Sequence, residues 1–276
     1  MDYTISGSIL RITGKIVKND LQSAWFFCGS ASRVISVKSG EYFSVELSLS
    51  NLKEKSFVEI FTQSLGETSY WSYIYNTITV SPDGKGYRFD APLVLEHNIS
   101  MAQKWCNPQN YLSGNISQEL KNLSNSIVGS EKNDYKKMYL LNQWVAENVY
   151  YDHDYLAGKG GTFYSADDVY HNKRTVCEGY ANLLIALLRA QGIPAMKVVT
   201  YSNTYLDESN YQTTGSNHAH VEAYLESEGR WVTMDPTWDS RNEYRDGTFI
   251  KDIFTCVYFD LSLEMFSYTH KIIYRG

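Results

Sequence analysis

Cys177, His218 and Asp235 follow one another at intervals of 218 − 177 = 41 and 235 − 218 = 17 residues. A thiol, an imidazole and a carboxylate in that order supply a nucleophile, a base to take its proton and a group to orient the base. Cys177 stands at the mouth of an apolar run, R-T-V-C-E-G-Y-A-N-L-L-I-A-L-L-R-A-Q-G-I-P-A, residues 174–195. At the start of a helix the backbone amides are unpaired and the macrodipole is positive. Both favour a thiolate, and the same amides can receive a developing oxyanion. The plainer alternative is a small buried cysteine that plugs a helix start.

The helix needed for this is legible. Ala181, Leu184, Leu187 and Leu188 recur at helical spacing, with Leu183 and Ile185 on the flanks, which predicts a helix buried nearly all round. Thr175 followed by Glu178 predicts a capping box with Cys177 as the second helical residue. Gly192 supplies a left-handed residue after the helix, and Pro194 forbids continuation.

His218 and Asp235 lie in N-H-A-H-V-E-A-Y-L-E-S-E-G-R-W-V-T-M-D-P-T-W, residues 217–238. His218 to Leu225 alternates, with Ala219, Val221, Ala223 and Leu225 on one face and His218, His220, Glu222 and Tyr224 on the other. Ser227-Glu228-Gly229 is a turn signal and Arg230 to Met234 reads as the returning strand, so the hairpin carries Asp235 back toward His218.

The motifs T-V-C-E-G-Y-A, H-A-H-V-E-A-Y and W-V-T-M-D-P-T-W, in that order, resemble the core of the bacterial transglutaminase-like superfamily, relatives of papain-type cysteine enzymes. The resemblance covers roughly residues 135 to 240. It implies a central helix bearing the nucleophile Cys177, and an antiparallel sheet bearing the base His218 and the orienting Asp235. It also implies that Tyr151 edges the site and makes Trp238 a candidate lining residue. His220 stands where the family usually has an aromatic residue, and is a candidate for the site-facing side of the strand.

The first 97 residues have another texture. Short alternating segments such as I-L-R-I-T, R-V-I-S-V and Y-F-S-V-E-L-S-L are separated by turn signals at Lys18-Asn19-Asp20, Ser39-Gly40 and Asp83-Gly84. The expectation is an α+β protein: a β-sandwich over 1–97, then a transglutaminase-like, papain-like α+β domain over 98–276. The segment ending before Pro92 also resembles the β domain that precedes some secreted transglutaminase-like modules. Trp71 and Tyr73 could form an aromatic platform for a ligand, or pack across strands. Helices are expected at Ser117–Val128 and Asn133–Val149, and a short one begun at Ser165 with Asp168 at its third position.

Net charge is −6, with no Lys/Arg-rich block, which argues against nucleic acid as a partner. No apolar run approaches a membrane span, and the first residues M-D-Y-T-I-S-G are not a signal peptide. Cys28, Cys106, Cys177 and Cys256 are scattered without C-x-x-C, which points to neither zinc nor a disulfide framework. Cys28 and Cys256 read as strand core residues. Asp152, His153 and Asp154 have the right types for a metal, but neighbours on a strand point to opposite faces; no metal and no cofactor are expected. The functional expectation is an enzyme that cleaves or transfers amide bonds of a peptide or protein, cell-wall associated substrates included, through an acyl-thioester. The setting expected is extracellular or cell-surface, with a cytoplasmic one as the alternative. From another class comes a non-catalytic adhesion or scaffold module that keeps the fold.

Overall fold

Alternation of apolar and polar residues draws the first part of the chain into strands, and long apolar faces draw the rest into helices around a sheet. The computed structural model describes residues 1–16, 21–66, 68, 72–74, 78–102, 106–252 and 254–276, and these divide into two units, Met1–Pro92 and Leu93–Gly276. The turn at Lys18-Asn19-Asp20 and Trp71 lie outside the described residues.

The first unit holds β1 (Asp2–Ser6), β2 (Ile9–Lys15), β3 (Leu21–Cys28), β4 (Ala31–Ser36), β5 (Tyr42–Ser48), β6 (Ser56–Ser64), β7 (Ser72–Ile74), β8 (Thr79–Pro82) and β9 (Tyr87–Phe89). They form two antiparallel sheets, β1-β2-β5 and β4-β3-β6-β8-β9, with β7 also on β6. Leu10, Ile12, Val45 and Leu47 of one sheet and Ala24, Phe26, Val58 and Ile60 of the other are buried, as period-2 alternation requires of a sandwich. The Phe26 and Phe43 rings meet at 5.4 Å across it. Cys28 lies in this core.

The second unit is mixed. Its elements are α1 (Leu95–Ala102), α2 (Gln118–Val128), α3 (Asp134–Asn148), β10 (Tyr150–Asp152), α4 (His153–Leu156), α5 (Ala166–Asn172), β11 (Arg174–Thr175), α6 (Cys177–Ala190), β12 (Ala195–Ser202), β13 (His218–Leu225), β14 (Arg230–Met234), α7 (Pro236–Asp239), β15 (Glu243–Arg245), β16 (Thr248–Ile250), α8 (Leu263–Phe266) and β17 (His270–Arg275). The antiparallel sheet β14-β13-β12-β17 is its backbone. Ala219, Val221, Ala223 and Leu225 of β13 face α6, whose Ala181, Leu183, Leu184, Leu187 and Leu188 are buried with Met138, Leu141 and Val145 of α3. The protein is thus α+β, an all-β unit followed by helices packed on an antiparallel sheet.

Side chains set the helix starts as the sequence suggests. Ser117, Asn133 and Ser165 accept from the amides of Leu120, Lys136 and Asp168. Gly192, at φ 76°, closes α6: its amide reaches Arg189 O at 3.0 Å, and that of Ile193 reaches Leu188 O at 3.1 Å. This is the 5→2 and 6→1 pair of a Schellman motif. Cys256 is a correction. It lies in irregular chain after β16 rather than in a strand, because Asp239 draws that segment in through the amides of Thr255 and Tyr258.

Candidate active site

The start of α6 differs from the expected capping box. Val176 is the N-cap residue with no side-chain bond, and Cys177 is the first helical residue rather than the second. Thr175 is used elsewhere. It ends β11, opposite Tyr151 of β10 in a parallel pair, and its hydroxyl donates to Phe163 O. Glu178, left without a capping partner, takes Lys197 Nζ at 2.6 Å. The helix start is therefore fixed by a strand and by the passing chain at Phe163.

Gly179 permits that approach. A Cβ there would fall on Thr175 Oγ1 and come within 2.8 Å of Thr175 Cβ and 2.9 Å of Phe163 O. Asp152 ties down the segment leading to Phe163: Oδ1 accepts from the Tyr155 amide at 3.0 Å, and Oδ2 from Thr162 Oγ1 at 2.8 Å and Arg174 Nη1 at 3.0 Å. Asp154 accepts from the amides of Asp246 and Gly247, and His153 Nε2 stands 3.4 Å from Glu243. Asp152, His153 and Asp154 are therefore turned to three separate sets of partners.

Cys177 Sγ stands 4.0 Å from Asn217 O and adjoins the His218 ring. On the other side of that ring, Nε2 meets Asp235 Oδ2 at 2.6 Å, which leaves Nδ1 as the nitrogen free for the thiol. Asp235 divides its two oxygens. Oδ1 caps α7 by accepting from the Thr237 and Trp238 amides, each at 3.1 Å, and Oδ2 serves His218. One carboxylate thus both starts α7 and faces the His218 ring. Both partners are buried. Burial opposes charge on His218, but the charge and hydrogen bond of Asp235, aided by Cys177, outweigh it and push the ring up to about 10. Burial would likewise raise Asp235, yet His218 and then His270 hold it well below the usual carboxylate range.

Tyr151 and Trp238 flank this group. Burial, with Cys177 and Asp235 nearby, pushes the Tyr151 hydroxyl up to about 12. The Trp238 ring lies 6.0 Å edge-on from His218. His220 is buried, 4.6 Å from the Phe266 ring, with neither ring nitrogen hydrogen-bonded among the described residues. Burial holds its ring well below the ordinary histidine value.

One residue of the cluster had no signal in the sequence. His270, on β17 across β12 from His218, is buried with its Nε2 3.4 Å from Asp235 Oδ2. It is a single histidine 35 residues past Asp235 (270 − 235 = 35) in no recognisable pattern, and only strand pairing brings it in.

The model of the transglutaminase-like superfamily matches residues 121–236, which take in Cys177, His218 and Asp235. Residues 121–236 form a transglutaminase-like domain. Among curated proteins the chain is similar to mouse kyphoscoliosis peptidase, 24% identical over 160 residues, 58% of this chain and 23% of that protein. An uncharacterized protein of Mycobacterium leprae, ML0607, is 36% identical over 87 residues, 31% of this chain and 30% of its own length. The chain thus spans about a quarter of the length of the curated relatives it matches. Among solved structures, the periplasmic domain of TgpA from Pseudomonas aeruginosa is 14% identical, with a TM-score of 0.37 over 86% of this chain and 72% of that one. Among the described residues, no helix is long and apolar enough to cross a membrane.

Proposed function

We propose that the transglutaminase-like domain is a cysteine-nucleophile enzyme that opens amide bonds of peptides or proteins through an acyl-thioester, with water as the preferred acceptor. The observation that carries this is the His218 ring held between Cys177 and a buried Asp235 at 2.6 Å. Asp235 holds the ring by Nε2, which leaves Nδ1 to serve the thiol. An imidazolium stabilised by Asp235 favours the thiolate beside it, as does the start of α6.

Cys177 Sγ attacks the carbonyl carbon, and the oxygen gains charge near the Cys177 amide. Collapse expels the amine, which takes the proton from His218 Nδ1 and leaves a thioester. His218 then accepts a proton from water as the water attacks the thioester. The acid product leaves, and the proton returns to the thiol–imidazole pair. An amine in place of water would give a crosslink by the same steps.

Water is favoured because the segment before His218, Tyr201 to Asn217, is polar, with most of residues 203–217 exposed or half-buried. An amine acceptor competing with water at ~55 M needs an oriented, dry site. The word peptidase in the name of the mouse relative points the same way. An extracellular or wall-associated peptide suits a domain preceded by a β-sandwich.

The test gives the protein a glutamine-bearing or wall-derived peptide together with a fluorescent primary amine, and compares hydrolysate with conjugate, with Cys177→Ala as the blank. Hydrolysate should exceed conjugate. Conjugate in excess would make it a crosslinking enzyme. Turnover equal to the blank across a broad peptide set would favour a scaffold that keeps the fold.

A further inference from the structure

His270 is the group the mechanism above does not use. It projects from β17 onto the face of the sheet that carries His218 and His220, away from α6. Its ring stacks on Phe266 at 4.1 Å and 13°, and lies 4.6 Å from Trp238 and 5.2 Å from His218. Thr269 Oγ1 is 2.7 Å from its Nδ1. Its Nε2 is buried 3.4 Å from Asp235 Oδ2, too poorly aligned for a hydrogen bond, and makes none among the described residues. Asn98 fixes the backbone here: Nδ2 donates to His270 O at 2.8 Å, and Oδ1 accepts from the Ile272 amide at 2.8 Å.

Two tautomers compete. With the proton on Nδ1, a nitrogen lone pair would face the Asp235 carboxylate in a site closed to water, acceptor against acceptor. With the proton on Nε2, Thr269 donates to Nδ1 at 2.7 Å in preference to Phe266 O at 3.3 Å, and the ring presents N–H to Oδ2. The second arrangement leaves no repulsion, and we infer that His270, as the Nε2–H tautomer, is a positioning residue that gives Asp235 a second imidazole donor and so shares the carboxylate with His218. This rests on the triad reading above and extends it to a His–Asp–His arrangement.

A metal ion is the competing explanation, since the donor atoms of His218, Asp235 and His270 all lie within 4.8 Å of one another. The 2.6 Å between His218 Nε2 and Asp235 Oδ2 is a hydrogen bond. Two ligands each ~2.1 Å from a tetrahedral zinc stand about 3.4 Å apart, so the pair is too close to straddle an ion.

Sharing has a measurable sign. Oδ2 divides its charge between two N–H donors, and removing one returns that charge to the other. The polar groups facing His270 are Asp235, His218, His220, Tyr258 and Thr269, and only the first two form the coupled pair. In protein labelled with ¹⁵N-histidine, His270 should appear as the Nε2–H tautomer. His270→Phe, which keeps the stacking on Phe266, should raise the titration midpoint of His218 by roughly half a unit, less than one well-aligned charge-assisted hydrogen bond would give. An Nδ1–H tautomer in the unaltered protein overturns the inference, whether or not the variant folds. So does a folded His270→Phe protein in which His218 titrates unchanged. Iodoacetamide labelling of the unaltered protein at pH 6 keeps the two readings apart. An unreactive Cys177 sinks the triad reading, whereas a reactive one with the wrong His270 tautomer sinks only this inference.

Discussion

Replacing Gly179 by Ala sets two well-measured effects against each other. Gly179 is the third residue of α6, where helix propensity alone makes Gly→Ala stabilising by up to ~1 kcal/mol. The added Cβ, however, falls on Thr175 Oγ1 and lies 2.8 Å from Thr175 Cβ and 2.9 Å from the Phe163 carbonyl. Thr175 is β-branched, fully buried and paired with Tyr151, so it cannot swing aside cheaply. Overpacking of this kind costs roughly 1–3 kcal/mol, and losing the bond from Thr175 to Phe163 O adds about 1 kcal/mol. The sum favours a net loss of roughly 1–3 kcal/mol, read as a lower urea midpoint at unchanged slope. In a Thr175→Ala background the same change should cost at least ~0.5 kcal/mol less, because one of the obstructing atoms is gone. Alkylation of Cys177, two residues away, should slow in step. A Gly179→Ala protein as stable as its parent or more so would refute the reasoning, because propensity would then have outweighed a contact that is not as close as described.

Three further outcomes follow from the same site. At pH 6 iodoacetamide should label Cys177 at least about tenfold faster than Cys28 or Cys256, whose thiols burial pushes up to about 11; mass spectrometry of timed digests reads the ratio, and equal rates would contradict it. His220→Phe should leave the urea midpoint unchanged or raise it by up to ~1 kcal/mol, since both ring nitrogens are buried without a partner; a loss above about 2 kcal/mol would mean the imidazole has a role its surroundings do not reveal. Stability should peak near pH 6.5. His270 is held down to about 4 by burial, so its contribution is full above the unfolded value of 6.5 and drains as pH falls toward 4. His218 is raised to about 10, so its contribution is full below 6.5 and drains as pH rises through 10. Thermal melts at pH 4.5, 6.5 and 9.5 check this, and a monotonic trend would contradict it.

The sequence was most legible where chemistry and local pattern coincide. The hairpin that returns Asp235 to His218 could be read from eight alternating residues and a Ser-Glu-Gly turn, because strand register fixes which side chains share a face. The end of α6 at Gly192 could be read from one residue type. Its beginning could not. Thr175 and Glu178 fit a capping box, but the capping hydroxyl is taken by Phe163 O and the carboxylate by Lys197, partners 12 and 19 residues away. Local rules carry no knowledge of competitors that arrive by tertiary folding. His270 was hidden for the same reason, its neighbourhood created by the pairing of β12 with β17. Cys256 had the apolar neighbours of a strand residue, but its segment is drawn inward by a buried carboxyl, Asp239, that no periodicity announces.

Chain order also sets a clock on the site. Synthesis delivers Cys177 first, its base 218 − 177 = 41 residues later, and the strand bearing His270 270 − 177 = 93 residues later. At 5–20 residues per second, roughly 5–20 s separate the first group from the last. Until Asp235 follows, 235 − 177 = 58 residues after Cys177, the thiol has no imidazole–carboxylate pair to face, and the sheet around that pair is completed only by β17. The order of synthesis therefore makes the thiol first and the groups around it last, so the cluster is assembled only once the sheet is nearly complete.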